Sequence, residues 1–134
     1  LVAAYLQQRH EIWWAHLAQR LTDAASPKAL TVFDAYLDHN DLDTDRGCAF
    51  LNAAAELPAD HPGVAVIREH KRAVRDKLAE LVRVDAPHAE DPDALAEELF
   101  LLLEGAVTHI GIDGDSKRMR TAKRIASAHI EAQG

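Results

Sequence analysis

"DPDALAEELFLLLEGAVTHI", residues 91–110, is the stretch on which the fold turns. Asp91 can accept a hydrogen bond from the first free N–H groups of a helix, and Pro92 falls at the first helical position, where a missing N–H costs nothing. Behind that start come Leu99, Phe100, Leu101, Leu102 and Leu103, which together cover every side of a helix. A helix apolar all round is buried all round. One side therefore faces the core of its own domain, and the other asks for a second partner.

Outward from this helix the same punctuation recurs. "VDAPHAEDPD" before it reads as a loop. Further back, Ile67, His70, Val74, Leu78 and Leu81 fall at i, i+3, i+7, i+11 and i+14, the clearest amphipathic helix of the chain. "PADHPG" breaks the chain ahead of it. A short third helix is expected after Asp45, ending near Leu57. Ser26 as cap and Pro27 as first residue open a second helix, which carries Leu30, Phe33 and Leu37 inward and fails near "DHNDLDTD". The first helix should run from the start of the chain to about Ala24, with Leu6, Trp13, Leu17 and Leu21 on one stripe. It has no capping residue, no Pro in its first turn and no initiating Met. After Ile110, "GIDGD" turns the chain into a last helix from Ser116 to about Ala132. Six helices in one domain over residues 1–134, with no run of alternating β-branched residues, make the expected class all-α.

Charge and cysteine content narrow the function. Fifteen basic against 22 acidic residues give a net charge of −7, a poor basis for binding nucleic acid directly. The single cysteine, Cys48, excludes an internal disulfide framework and fits a reducing cytoplasm. No basic-flanked signal peptide is visible, and no apolar run approaches the roughly 20 residues that span a bilayer.

"RGCAFLNAAAEL", "DHPGVAVIREHKRAVRDKLAEL" and "DALAEELFLLLEGAV", in that order, resemble the C-terminal regulatory domain of TetR-family transcriptional repressors. The resemblance covers essentially the whole chain, is strongest from Arg46 to Val107 and is weak before Ser26. It implies a homodimer that holds a small, mostly apolar effector among its middle helices. It also implies that the first helix is the connector to an N-terminal DNA-reading unit, cut partway along. Operator DNA would then be bound only through that unit, and no recognition helix is present in these 134 residues.

The expected effector pocket is lined by Trp13, Leu17, Phe33, Leu37, Cys48, Asn52, Ala55, His70, Val74, Leu99 and Leu103, an apolar set with a few polar groups. Asn52 and His70 either satisfy each other, or helix backbone, or present a polar handle to the effector, since a buried polar group must be hydrogen-bonded. The last two helices are expected to form a four-helix dimer bundle through Phe100, Leu103, Val107, Met119, Ala122, Ile125 and Ala126. There Ala122 and Ala126 permit close approach, and the stems of Arg118, Lys123 and Arg124 cover the rim. His109 suits either that interface or the negative end of its helix.

Three other chemistries are weighed and set aside. No His pair stands at i, i+4, and across the predicted helices no acidic residue stands three or four before a His, so neither metal nor cofactor is expected. Asp41, Asp43 and Asp45 alternate as in a calcium loop, but Arg46 occupies the sixth position and Asn52 the twelfth. A Cys48 nucleophile with a His70 base lacks any motif that would build an oxyanion hole, so the chain is not expected to be an enzyme. A dimerisation scaffold with no ligand is the remaining alternative.

Overall fold

The structure, a computed structural model, describes residues 1–43 and 48–133. Six helices follow in order: α1 (Val2–Thr22), α2 (Leu30–Asp43), α3 (Ala49–Glu56), α4 (Pro62–Asp85), α5 (Pro92–Asp113) and α6 (Lys117–Gln133). The fold is all-α, and there is no strand among the described residues.

Local chemistry sets most of the boundaries. Asp91 caps α5 by accepting from the N–H of Ala94 at 3.0 Å, with Pro92 behind it. Gly114, at φ +73°, ends that helix three residues beyond Ile110, in the left-handed conformation that glycine adopts without a Cβ penalty. His61 caps α4: its Nδ1 accepts from the N–H of Gly63 at 2.9 Å, ahead of which stands Pro62. α1 has no side-chain cap. Cys48 occupies the N-cap position of α3 without a side-chain bond, and Asp45, the expected cap, lies outside the described residues.

The start of α2 departs from expectation. The helix begins at Leu30, not at Pro27. In place of a Ser26 cap, both oxygens of Asp85, at the end of α4, accept from the backbone N–H groups of Lys28 and Ala29 at 2.7 Å each. A carboxylate 56 and 57 residues away in sequence does what a local Ser would do elsewhere. It also clamps the N-terminus of α2 to the C-terminus of α4.

α4 lies against α1, α3 and α5; α5 also packs on α6, and α2 bridges α1 and α6. The main core joins five of the helices through Trp13, Leu17, Phe33, Val74, Leu78, Leu99, Leu103 and Met119. A smaller cluster of Leu6, Phe50 and Ile67 ties α3 to α1 and α4. No described helix is long and apolar enough to cross a membrane.

The phase of α5 turns most of the expected dimer-face residues inward. Leu103, Val107, Met119, Ala122 and Ala126 are buried within the chain itself, and Phe100 is half-buried against the same core. Pairing with α4 and α6 sets this rotation; an apolar run that covers all sides carries no phase of its own. Of the expected residues Ile125 on α6 does face outward (39% exposed), and on α5 so do Leu101 (63%) and Ile112 (71%). Between α5 and α6 lies a groove of about 420 Å³ lined by Leu101, Leu102, Gly105, His109, Thr121 and Ile125, among others.

Candidate ligand site

Where α1, α2, α4 and α5 meet, the apolar core gives way to polar groups. Trp13 of α1 and Tyr36 of α2 are 3% and 7% exposed, and their rings lie 4.8 Å apart. Lys71 of α4 pairs with Glu104 of α5 at 3.0 Å, the two side chains keeping only 14% and 18% of their exposure. The same ammonium lies 3.6 Å from the Cys48 Sγ and 5.7 Å from the centroid of the Tyr36 ring. Next to Lys71, His70 is 1% exposed. Its Nδ1 is 2.7 Å from the Nδ1 of His10 on α1, and its ring stacks on Phe50 of α3 at 3.7 Å.

Electrostatics fix the protonation of this group. Burial pushes the His70 pKa down to about 3, helped by the Lys71 charge and by His10, so the ring is neutral. In the pair, one Nδ1 must donate and the other accept. Burial opposes the Lys71 charge, but Tyr36, Cys48 and Glu104 around it outweigh that, and its pKa is held above the usual lysine range. Burial likewise pushes the Tyr36 phenol up, so it keeps its proton.

Two of these protons go nowhere. The Trp13 Nε1–H and the Tyr36 hydroxyl are buried without a hydrogen-bond partner. Lys71 cannot serve the phenolic proton, because an ammonium only donates. A buried polar group left unpaired costs roughly 1–3 kcal/mol, so a fold that keeps two of them side by side needs a reason.

Residues 25–126 match the family described as "Tetracyclin repressor-like, C-terminal domain". The chain belongs to this family. Among curated proteins it is similar to two named "HTH-type transcriptional regulator YjdC", from Escherichia coli (strain K12) and Shigella flexneri. Each is 27% identical over 123 residues, covering 91% of this chain and 63% of the relative. The chain therefore spans less than two thirds of the length of these relatives. No solved structure matches it.

Within this tetracyclin repressor-like domain, the residues singled out from sequence fall into two groups. Trp13, Leu17, Phe33, Val74, Leu99 and Leu103 are buried together in the main core, with Leu37 and Cys48 half-buried against it and His70 beside it. Asn52 and Ala55 are exposed and do not line the interior. Phe50 is the buried residue of α3, and at about 100° per residue Asn52 points some 200° away from it. The polar partner identified for His70 is His10, from a different helix.

His10, Tyr36, Lys71 and Glu104 were not anticipated. Two of them had a legible signal. Tyr36 stands three residues after Phe33, on the same helical face, and Glu104 is a carboxylate directly after "LFLLL". Lys71 had none, since a lysine between a histidine and an arginine reads as a solvated face.

Proposed function

We propose that this domain is the effector-binding and dimerising part of a one-component transcriptional repressor, whose operator-reading unit lies outside these residues. The observation that carries the reading is the pair of unpartnered buried donors, Trp13 Nε1–H and Tyr36 O–H, beside the Lys71–Glu104 pair. A cluster of this kind at the meeting of four helices is what a small molecule with a polar group would complete. Family membership and similarity to proteins named transcriptional regulators support the regulatory role.

The same cluster has a mechanical handle on α1. Trp13 and His10 both belong to it, so an occupant that moves either one shifts α1 relative to α4. If α1 continues toward a DNA-reading unit, that shift is the signal, and a coupling of about 1–3 kcal/mol is the usual scale. Dimerisation is assigned to the outward face of α5 and α6, centred on Leu101, Ile112 and Ile125. Large apolar side chains exposed together on two neighbouring helices fit a closed two-fold interface. No catalysis is assigned to the domain.

Native mass spectrometry of the purified chain, followed by denaturation to recover anything bound, tests this reading. A dimer carrying a co-purified small molecule is the expected result. A dimer that carries nothing and binds nothing in a ligand screen would leave only the scaffold role, and a monomer would remove the interface.

A further inference from the structure

We propose a second small-molecule site at the C-terminal end of α1, shaped for an organic ammonium ion. It shares no lining residue with the Trp13–Tyr36 cluster and stands whatever that cluster binds.

The site is a cavity of about 620 Å³ where the end of α1, the start of α2 and the middle of α6 come together. That volume lies within the range of small-molecule pockets. Its walls include Ala24, Pro27 and Leu30, which offer apolar surface to a ring or a short chain.

The charges around the cavity fall into pairs with one left over. Arg20 of α1 donates to both oxygens of Asp38 at 2.6 and 2.7 Å, and His16 Nε2 meets the same carboxylate at 2.9 Å. Lys123 of α6 reaches across to Asp34 of α2 at 2.6 Å. Asp23, also in the cavity wall, has no ion-pair partner among the described residues. It is the C-cap of α1, where the helix dipole presents its negative end. The two effects add, and both favour a cation.

The second observation is Thr31, 5% exposed and yet part of the same wall. Its backbone N–H donates to the carbonyl of Lys28 at 3.0 Å, but its hydroxyl has no partner among the described residues. Buried polar groups ordinarily find partners, and a hydroxyl oxygen accepts readily from an ammonium N–H. An anion fits this wall poorly. It would have to take Arg20 or Lys123 from its carboxylate, leaving Asp38 or Asp34 unmatched beside Asp23. A cation displaces nothing.

Three probes with one phenyl ring and different heads test the site: 2-phenylethylamine, 2-phenylethanol and 3-phenylpropionate, each titrated into the full chain by calorimetry. The amine is expected to bind at least about tenfold more tightly than either of the others. Asp23→Asn removes the charge at constant shape and should weaken the amine by about fivefold, more at low salt than at high. Thr31→Val removes the hydroxyl at nearly constant volume and should weaken it by about the same factor, whereas Thr31→Ser should retain binding. Circular dichroism establishes that each variant is folded; should Thr31→Val fail to fold, the exposed Asp23→Asn still decides. Alcohol or carboxylate binding as tightly as the amine, no binding of the amine, or an amine affinity unchanged in Asp23→Asn would each overturn the proposal.

Discussion

Replacing Asp85 tests the contact that holds the two sides of the ligand site in register. Its carboxylate takes two backbone N–H groups at 2.7 Å, and hydrogen bonds to a charged group contribute about 1.5–3 kcal/mol each. The two donors do not recover equally. Ala29 is fully buried, so its N–H finds no water when the acceptor goes, whereas half-buried Lys28 is partly rehydrated. Asp85→Ala should therefore cost about 3 kcal/mol, the full value of one bond and part of the other. Asp85→Asn keeps one acceptor oxygen and should lose roughly half as much. With a urea slope of about 2 kcal/mol/M for a domain of this size, the unfolding midpoint should fall by about 1.5 M for Ala and about half that for Asn. Asp76→Ala, on an exposed side chain of the same helix, serves as the control and should leave the midpoint nearly unchanged. A midpoint for Asp85→Ala within about 0.3 M of wild type would mean that the clamp does not form in solution.

Three further perturbations address the interface and the buried polar groups. Leu101→Glu should dissociate the dimer and leave the fold intact by circular dichroism, whereas Leu103→Glu, at a fully buried position, should unfold the chain; sedimentation velocity distinguishes them, and a dimeric Leu101→Glu would refute the assigned face. His70 is depressed to about 3 from 6.5, so below about pH 6.5 the unfolded chain takes up a proton that the folded one refuses. Its contribution to stability is undiminished above pH 6.5 and is lost as the pH falls from there toward 3, by up to about 1.4 kcal/mol per pH unit. His70→Gln should show a correspondingly shallower decline in its urea midpoint between pH 6 and 4, and an identical decline would exclude this origin. Finally, Lys71→Met alone should destabilise by about 2–3 kcal/mol, because it strands Glu104, while Lys71→Met with Glu104→Leu should recover most of the loss. Additive losses in that double-mutant cycle would show that the two groups are not coupled.

Much of the architecture was legible because it is written locally. Asp91, Pro92 and Gly114 act within a turn of where they stand, and the 3.6-residue period of α4 survives intact in the structure. The failures share a physical cause, which is that their partners are distant in sequence. Ser26 was the natural cap for α2, but the N–H groups there go to Asp85, and no local rule foretells a cap from another helix. The all-apolar run of α5 announced two buried sides but left its rotation open, so the interface was expected on Phe100, Leu103 and Val107, whereas Leu101 is the exposed leucine. The aromatic and imidazole part of the site, Trp13 and His70, could be read from apolar stripes. Its ionic part could not, because Lys71 and Glu104 come inside only by finding each other across two helices. Asn52 failed for the opposite reason: in an eight-residue helix, the single turn that packs decides everything, and Phe50 took it.

α3 also has a kinetic meaning. Its eight residues carry one buried side chain, Phe50, with Leu51, Ala53 and the following Leu57 only partly covered. Detaching it exposes little more than that phenyl ring, at a cost of about 2–3 kcal/mol, so roughly one molecule in a hundred has α3 undocked at any moment. Its amide hydrogens should then exchange with solvent well ahead of those in α4 and α5. Each such excursion also lifts Phe50 from the face of His70 and uncovers, for that interval, a side of the polar cluster that the docked structure keeps shut.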